Sequence, residues 1–248
     1  MPLDGSVALV TGAARRVGRA TALRLAEAGM DLALTYHRSR LEAEDLVRQI
    51  ESRGRRAVAF QIDLAQVDVA EKMHGQFIAR FDRLDVLVNN ASDFGPSPIG
   101  RITTGQFDRH MAINARAPLM LIQKFAPLLG AGWPGRLGRV VNFIDIHVMG
   151  QPLTGYATYN ASKAAVKEIT MTAAMELAPR VTVNAIAPGV VAWAPSYSGE
   201  QRRAYLRRVP LQRAGTPQDA ASAVLYLVKD ASYCTGQILK LDGGRLLT

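Results

Sequence analysis

The stretch TGAARRVGRA, Thr11–Ala20, decides the fold. It has the form T-G-x-x-x-G-x-G, a glycine-rich nucleotide loop, except that Arg16 stands where the middle glycine belongs. The apolar run VALV (Val7–Val10) precedes it. Helical periodicity runs from about Arg16 to Ala28 and stops at Gly29. A glycine loop between a strand and a helix, at the head of a sheet, is the setting in which such loops hold a dinucleotide. Gly12 permits the tight turn and Gly18 the close packing of the helix, whose first N–H groups point at phosphate. Arg16 brings a guanidinium to the mouth of the loop, within reach of the pyrophosphate, the substrate or both.

The same alternation continues along the chain. LALT (Leu32–Thr35), AVAFQI (Ala57–Ile62), DVLV (Asp85–Val88), RVVNFI (Arg139–Ile144), VTVNAI (Val181–Ile186) and ILKL (Ile238–Leu241) follow. Most are apolar or β-branched throughout, as strands covered on both faces are. Helical periodicity fills Leu41–Arg53, Thr104–Leu129, Thr158–Ala178 and Pro217–Val228. The alternation predicts an α/β fold: a Rossmann-like, doubly wound parallel sheet of about seven strands with helices on both faces. We read residues 1–248 as a single dinucleotide-binding catalytic domain. GAGWPGRLG (Gly130–Gly138) reads as a turn. The segment of about residues 189–212, with Trp193, Pro195 and Tyr197, lies past a strand's C-terminal end, where ligands bind in open sheets. It reads as either a mobile substrate loop or a plain surface loop.

The composition narrows the class. With 248 residues, 48% hydrophobic and 21% charged, the chain can bury a sizeable core. No run approaches the ~18 apolar residues of a membrane span. The stretch MPLDGSVALV, with its early Asp4, does not read as a signal peptide. Cys234 is the single cysteine, so no intrachain disulfide forms and the cytoplasm is the expected compartment. His37, His74, His110 and His147 do not pair at metal-ligand spacing, so no metal is expected. The net charge of +9 includes two clusters, Arg53 with Arg55 and Arg56, and Arg202-Arg203 with Arg207-Arg208. They read as solvated surface or as attraction of anionic ligands into a cleft. No nucleic-acid motif accompanies them, and neither nucleic acid nor membrane is an expected partner.

The end of the second strand selects the dinucleotide. An acid there would bond the ribose hydroxyls of NAD. The chain instead reads TYHRSR (Thr35–Arg40), and His37, Arg38 and Ser39 suit a 2′-phosphate, which favours NADP(H). Asp63, after the third strand, is placed either to meet the adenine amino group or to cap a helix. Further on, YNASK sets Tyr159 and Lys163 four apart, on one helical face. An ammonium near a phenol favours the phenolate and moves the Tyr pKa toward neutrality, so that Tyr159 can donate a proton as hydride arrives. Tyr156 is seven residues from Lys163 and is the poorer candidate.

Taken in order, TGAARRVG, Asp63-Leu64, NNAS (Asn89–Ser92), Asn114, YNASK, Pro188-Gly189 and TGQILKLDGG (Thr235–Gly244) resemble the short-chain dehydrogenase/reductase family over essentially the full length. The resemblance implies a nicotinamide cofactor, a homotetramer, and catalytic roles for Asn114, Tyr159 and Lys163. Asn114 is expected to hold a helix bulge and a water that links Lys163 to solvent. Arg15, Arg16 and Val17 with Gly12 and Gly18 are the expected phosphate loop. Leu64, Asn90, Ala91, Ser92, Tyr159, Lys163, Pro188, Gly189 and Val190 complete the expected cofactor set.

Four departures from the family pattern point one way. They are Arg16 for glycine, His37-Arg38-Ser39 after strand two, Ser92 where NNAG is commoner, and Asp145 where a Ser usually stands. Together they resemble the pteridine reductases and the related dihydromonapterin/dihydrofolate reductases. That resemblance implies NADPH-dependent reduction of a pterin- or folate-like ring, with Tyr159, Lys163 and Asp145 delivering the proton. Arg16 and Ser92 would hold polar edges, and Phe94 of NNASDFGPSPI would stack on the ring. The alternatives are a 3-oxoacyl thioester or ketone reductase of the same family, and a non-catalytic NADP-binding regulator. His147 and Met149, which follow Asp145, are candidates to line the pocket.

Overall fold

Apolar runs without a polar face become interior strands of one sheet. In the computed structural model, which describes residues 3–131, 137–193 and 197–248, seven parallel strands lie in the order β3-β2-β1-β4-β5-β6-β7. They are β1 (Val7–Val10), β2 (Asp31–Tyr36), β3 (Ala57–Gln61), β4 (Val86–Asn89), β5 (Gly138–Phe143), β6 (Val181–Pro188) and β7 (Ile238–Leu241). The registers are parallel throughout, with Leu9 beside Ala33 on one side and Leu87 on the other.

Both faces are covered, as the strand composition requires. Along β1, Ala8 and Val10 join Ala22 and Leu25 of α1 (Arg16–Glu27) and Val224 and Leu227 of α8 (Pro217–Lys229). Val7 and Leu9 point the opposite way. They join Met73 and Phe77 of α3 (Val69–Ile78) and Leu121 and Phe125 of α5 (Ala117–Phe125). Helix α2 (Arg40–Glu51) adds Leu46 and Ile50 to the first cluster. Alternate side chains of one strand thus enter two cores. The doubly wound architecture read from the sequence is the one present.

The structure corrects three helix expectations. Helix α3 has no counterpart among them: it is short and Gly75 interrupts it, although its buried Val69, Met73 and Phe77 recur every fourth residue. The predicted helix Thr104–Leu129 is α4 (Thr104–Met111), a π turn over Ala112–Arg116, and α5. That π turn holds Asn114 and is the bulge the family resemblance implies. The segment 189–212 is not all loop, for it contains α7 (Gly199–Leu206). A capping box starts α7: Ser198 Oγ accepts from Gln201 N at 3.2 Å, and Ser198 N donates to Gln201 Oε1 at 2.8 Å. Helix α6 (Ala157–Leu177) carries Tyr159 and Lys163. Residues 132–136 of the turn Gly130–Gly138, and Pro195, lie outside the described residues. Among those described, no helix is long and apolar enough to cross a membrane.

Gly18 and Gly75 test how tightly the first turn is built. A Cβ on Gly18 would lie 2.3 Å from Gly12 O and 2.7 Å from Asn90 Nδ2, whereas one on Gly75 meets open space. We expect Gly18→Ala to lose about 1–3 kcal/mol of stability by overpacking. We expect Gly75→Ala, inside a helix, to gain about 0.5–1 kcal/mol. Equilibrium urea unfolding measures both. Equal effects would show that the loop relaxes around the added methyl.

Candidate active site

The first turn of the fold is joined to β4 by side chains. Thr11 Oγ1 accepts from Asn90 N at 3.0 Å and Ala91 N at 3.1 Å. Asn90 Nδ2 donates to Thr11 O at 2.8 Å and Gly12 O at 3.2 Å. The Asn90 amide therefore shapes the loop itself. Gly12 has φ +62°, and a Cβ there would stand 3.0 Å from Ala91. Arg16 has φ +53°, so it takes up the left-handed backbone that the glycine of the pattern would supply. Its Nη2 donates to Ala192 O at 2.6 Å and Trp193 O at 3.3 Å. These hydrogen bonds tie the glycine loop to the segment after β6. They do so at the cavity wall.

A cavity of about 610 Å³ opens at the C-terminal ends of the strands. This is where ligands bind in open α/β sheets, and the volume suits a cofactor and a small substrate. Gly12, Arg15, Val17 and Gly18 form one end. His37, Arg38 and Ser39 stand beside them, and no carboxylate occupies the end of β2. Arg15 reaches toward Glu42 at 3.8 Å. Asp63 and Leu64 also line the wall. Asp63 Oδ1 accepts from Ala65 N at 3.0 Å and so closes a turn; it caps no helix, because α3 begins at Val69 with Asp68 as its N-cap. That backbone hydrogen bond holds its carboxyl below the ordinary range. Asn90, Ala91, Ser92, Gly189 and Val190 complete this part of the wall. Pro188, Asn114 and Lys163 do not face the cavity.

The chemical groups gather where β5 meets α6. Asp145, two residues past β5, accepts a 2.7 Å hydrogen bond from Tyr159 through Oδ2. Tyr159 is 5% exposed. Its pKa lies well above that of a free phenol, first because burial penalises the phenolate and then because Asp145 opposes a second negative charge. The expected pull toward neutrality by Lys163 is thus reversed in this structure. Lys163 Nζ donates to Phe143 O at 2.8 Å and lies 5.9 Å from the Tyr159 ring centre. Burial lowers the Lys163 pKa to about 8.

Asn114 acts on backbone. Its Oδ1 accepts from Asp93 N at 2.7 Å, and its Nδ2 donates to Asp93 O at 2.9 Å and Ser162 Oγ at 3.0 Å. It therefore pins the segment after β4 to α6. Ser92 Oγ lies 3.3 Å from Asn114 Oδ1, so the hydroxyl expected on substrate leans toward Asn114 while lining the cavity.

Aromatic side chains form the remaining wall. Phe94 is 43% exposed, but one face stacks on Tyr156 at 4.8 Å and 18°, and Tyr159 meets it edge-on at 4.9 Å. Tyr197 and Tyr205 also line the cavity, both packed on Trp193. Tyr205 Oη accepts from Val190 N at 3.0 Å. His147, Leu153, Asp93 and Arg109 join them. The sequence reading named His147 as a candidate pocket residue and gave Leu153, Asp93, Arg109 and Tyr205 no site role. The signal available was proximity in sequence to Asp145 and Ser92. Met149, by contrast, packs in a core cluster.

Comparison with known proteins agrees with this geometry. A family model described as enoyl-(acyl carrier protein) reductase matches residues 12–245. The 3-oxoacyl-[acyl-carrier-protein] reductase FabG of Staphylococcus epidermidis is 37% identical over 242 residues, covering 96% of this chain and 97% of that protein. The 3-oxoacyl-[acyl-carrier-protein] reductase of Synechocystis is 35% identical over 249 residues, covering 99% and 98%. The crystal structure of a blue fluorescent protein from a metagenomic library, in complex with NADPH, superposes with a TM-score of 0.91. It is 33% identical and covers 99% of each chain. By its sheet order, its Tyr-Lys helix and these relatives, the chain belongs to the short-chain dehydrogenase/reductase family.

Proposed function

We propose that the protein is an NADPH-dependent reductase of a flat pterin-like ring, with Tyr159 as proton donor. The 2.7 Å bond from Tyr159 to Asp145 carries this reading. Beside the tyrosine of a ketone reductase, a hydroxyl can donate to the substrate oxygen. A carboxylate only accepts and opposes a developing alkoxide. It can, however, keep a proton on the phenol, or take up a proton first and then pass it to a ring nitrogen. Phe94, half-exposed in the cavity wall, would make contact with such a ring.

The residues fit the dinucleotide. A Cβ at Gly18 would fill the cradle beside the helix N-terminus, and cationic Arg38 faces the cavity where an acid would select NAD. When bound, NADPH supplies the hydride. Arg38, His37 and Ser39 then hold the 2′-phosphate, and Lys163 orients the site from behind. The NADPH in the metagenomic neighbour supports this assignment. A single catalytic domain, a homotetramer and a cytoplasmic setting belong to the same proposal. They rest on the family resemblance and, for the setting, on the single cysteine.

A second reading is 3-oxoacyl thioester reduction. The names of the relatives, at 37% and 35% identity, favour it over the pterin reading. Asp145 is the observation against it. NADPH oxidation with 7,8-dihydropterin, beside an acetoacetyl thioester, separates the two. We expect pterin turnover, a fall of about 10²–10⁴-fold in kcat for Tyr159→Phe, and a shift toward the thioester for Asp145→Ser. Turnover of the thioester alone by the native protein would assign the second reading.

The pH profile tests the proton donor. Burial and the Asp145 charge both keep the proton on Tyr159, so the donor form persists through neutral pH. Activity is then lost as pH rises through the Tyr159 pKa. Asp145→Asn removes the opposing charge, so the alkaline limb of kcat/KM should move to lower pH. An unmoved limb would detach it from Tyr159.

For the cofactor, we expect Arg38→Glu to raise KM for NADPH by about tenfold or more, as loss of a charge-assisted phosphate contact does. KM for NADH should stay constant or fall. Parallel changes for both nucleotides would place the 2′-phosphate elsewhere.

A further inference from the structure

His147 stands in the cavity wall, and the mechanism above leaves it without a role. It lies on the turn that carries Asp145, and its backbone N–H donates to Asp145 Oδ1 at 2.9 Å. Its Nδ1 meets Gln151 O at 2.7 Å. A carbonyl oxygen only accepts, so Nδ1 carries the hydrogen, and the tautomer this selects has its lone pair on Nε2. Gln151 is itself held. Its Oε1 accepts from the buried Arg245 at 2.7 Å, and its Nε2 donates to Thr248 O at 3.1 Å. The imidazole is thus fixed in tautomer and position. Among the described residues, Nε2 has no hydrogen-bond or ion-pair partner.

We propose that His147 is a substrate-binding residue whose Nε2 accepts a hydrogen bond from an N–H or amino edge of a nitrogen heterocycle. The inference rests on the pterin reading and deepens it. A 2-amino heterocycle presents such donors, while the β-keto unit of an oxoacyl thioester presents none. Asp145 and Tyr159 serve the reacting atoms, and His147, two residues along the same turn, reads an edge of the ring. Leu153 and Tyr197, in the same wall, supply contact for its faces.

The test is steady-state NADPH oxidation by the full chain with 7,8-dihydropterin and with an acetoacetyl thioester, for the native protein, His147→Leu and His147→Gln. We expect His147→Leu to raise KM for dihydropterin about tenfold with kcat unchanged, the scale of one lost hydrogen bond in a buried site. His147→Gln, whose Oε1 can accept, should restore KM to near the native value. His147→Phe keeps the ring volume and serves if the leucine variant does not fold. Native turnover of dihydropterin with KM unmoved in His147→Leu overturns this inference and leaves the pterin reading standing. A fall in kcat shared by the Leu and Gln variants also overturns it, because His147 then acts only through the Asp145 turn. Native turnover of the thioester alone, or of neither substrate, overturns both.

Discussion

The hydroxyl of Thr11 ties together the loops that leave the two strands between which the sheet changes direction. It receives the N–H groups of Asn90 and Ala91 from the end of β4 while its own backbone begins the glycine loop after β1. A parallel sheet wound both ways must open a crevice at such a point, because the chains leaving neighbouring strands depart toward opposite faces. The backbone ladder between β1 and β4 ends just below it, where Thr11 N donates to Val88 O at 3.0 Å. With the hydroxyl tie above the ladder, the loop, the NNAS segment and the first helix share one rigid floor. Asn90 strengthens the tie from below, and Asn114 carries it on to α6 by way of Asp93.

On that floor, burial sets the electrostatics more than any pair of charges does. Tyr159 and Lys163 are both withdrawn from water, and each is pushed toward its neutral form. The phenol keeps its proton, and the ammonium gives its proton up more readily than a free lysine. Asp145 reinforces the first effect and partly opposes the second. The site therefore sets an acceptor carboxyl beside the phenol and an ammonium behind it. That separates it from a site built around a serine, where the corresponding group would be neutral.

Strands were legible because unbroken apolar runs have few other destinations. Val7–Val10 and Ile238–Leu241 carry the same bounds in sequence and structure. Helix α3 was hidden by its shortness and by Gly75, and α7 by having no buried residue to give it a period. A π turn differs from an α turn by one residue and leaves no mark in composition, so the interruption at Asn114 was legible only through family resemblance. The nucleotide end of the cavity lies close to its motifs, since loop and strand end are local. Tyr205 reaches the wall by tertiary folding, which no spacing reveals. The direction of the Tyr159 shift was misread for a related reason: the spacing displays Lys163, while burial is invisible in a string of letters.

The left-handed backbone at Arg16 is about 1–2 kcal/mol less favourable for an arginine than a right-handed one. The same residue's head group is fastened to residues 192–193. Backbone strain and side-chain anchorage therefore belong to one mechanical element that spans both rims of the cavity. Displacing residues 192–193 removes support from the strained loop, and reshaping the loop shifts where those residues rest. By reciprocity the two couplings are equal in free energy. A glycine at this position would leave two independent flaps, whereas the arginine makes a single lever of them.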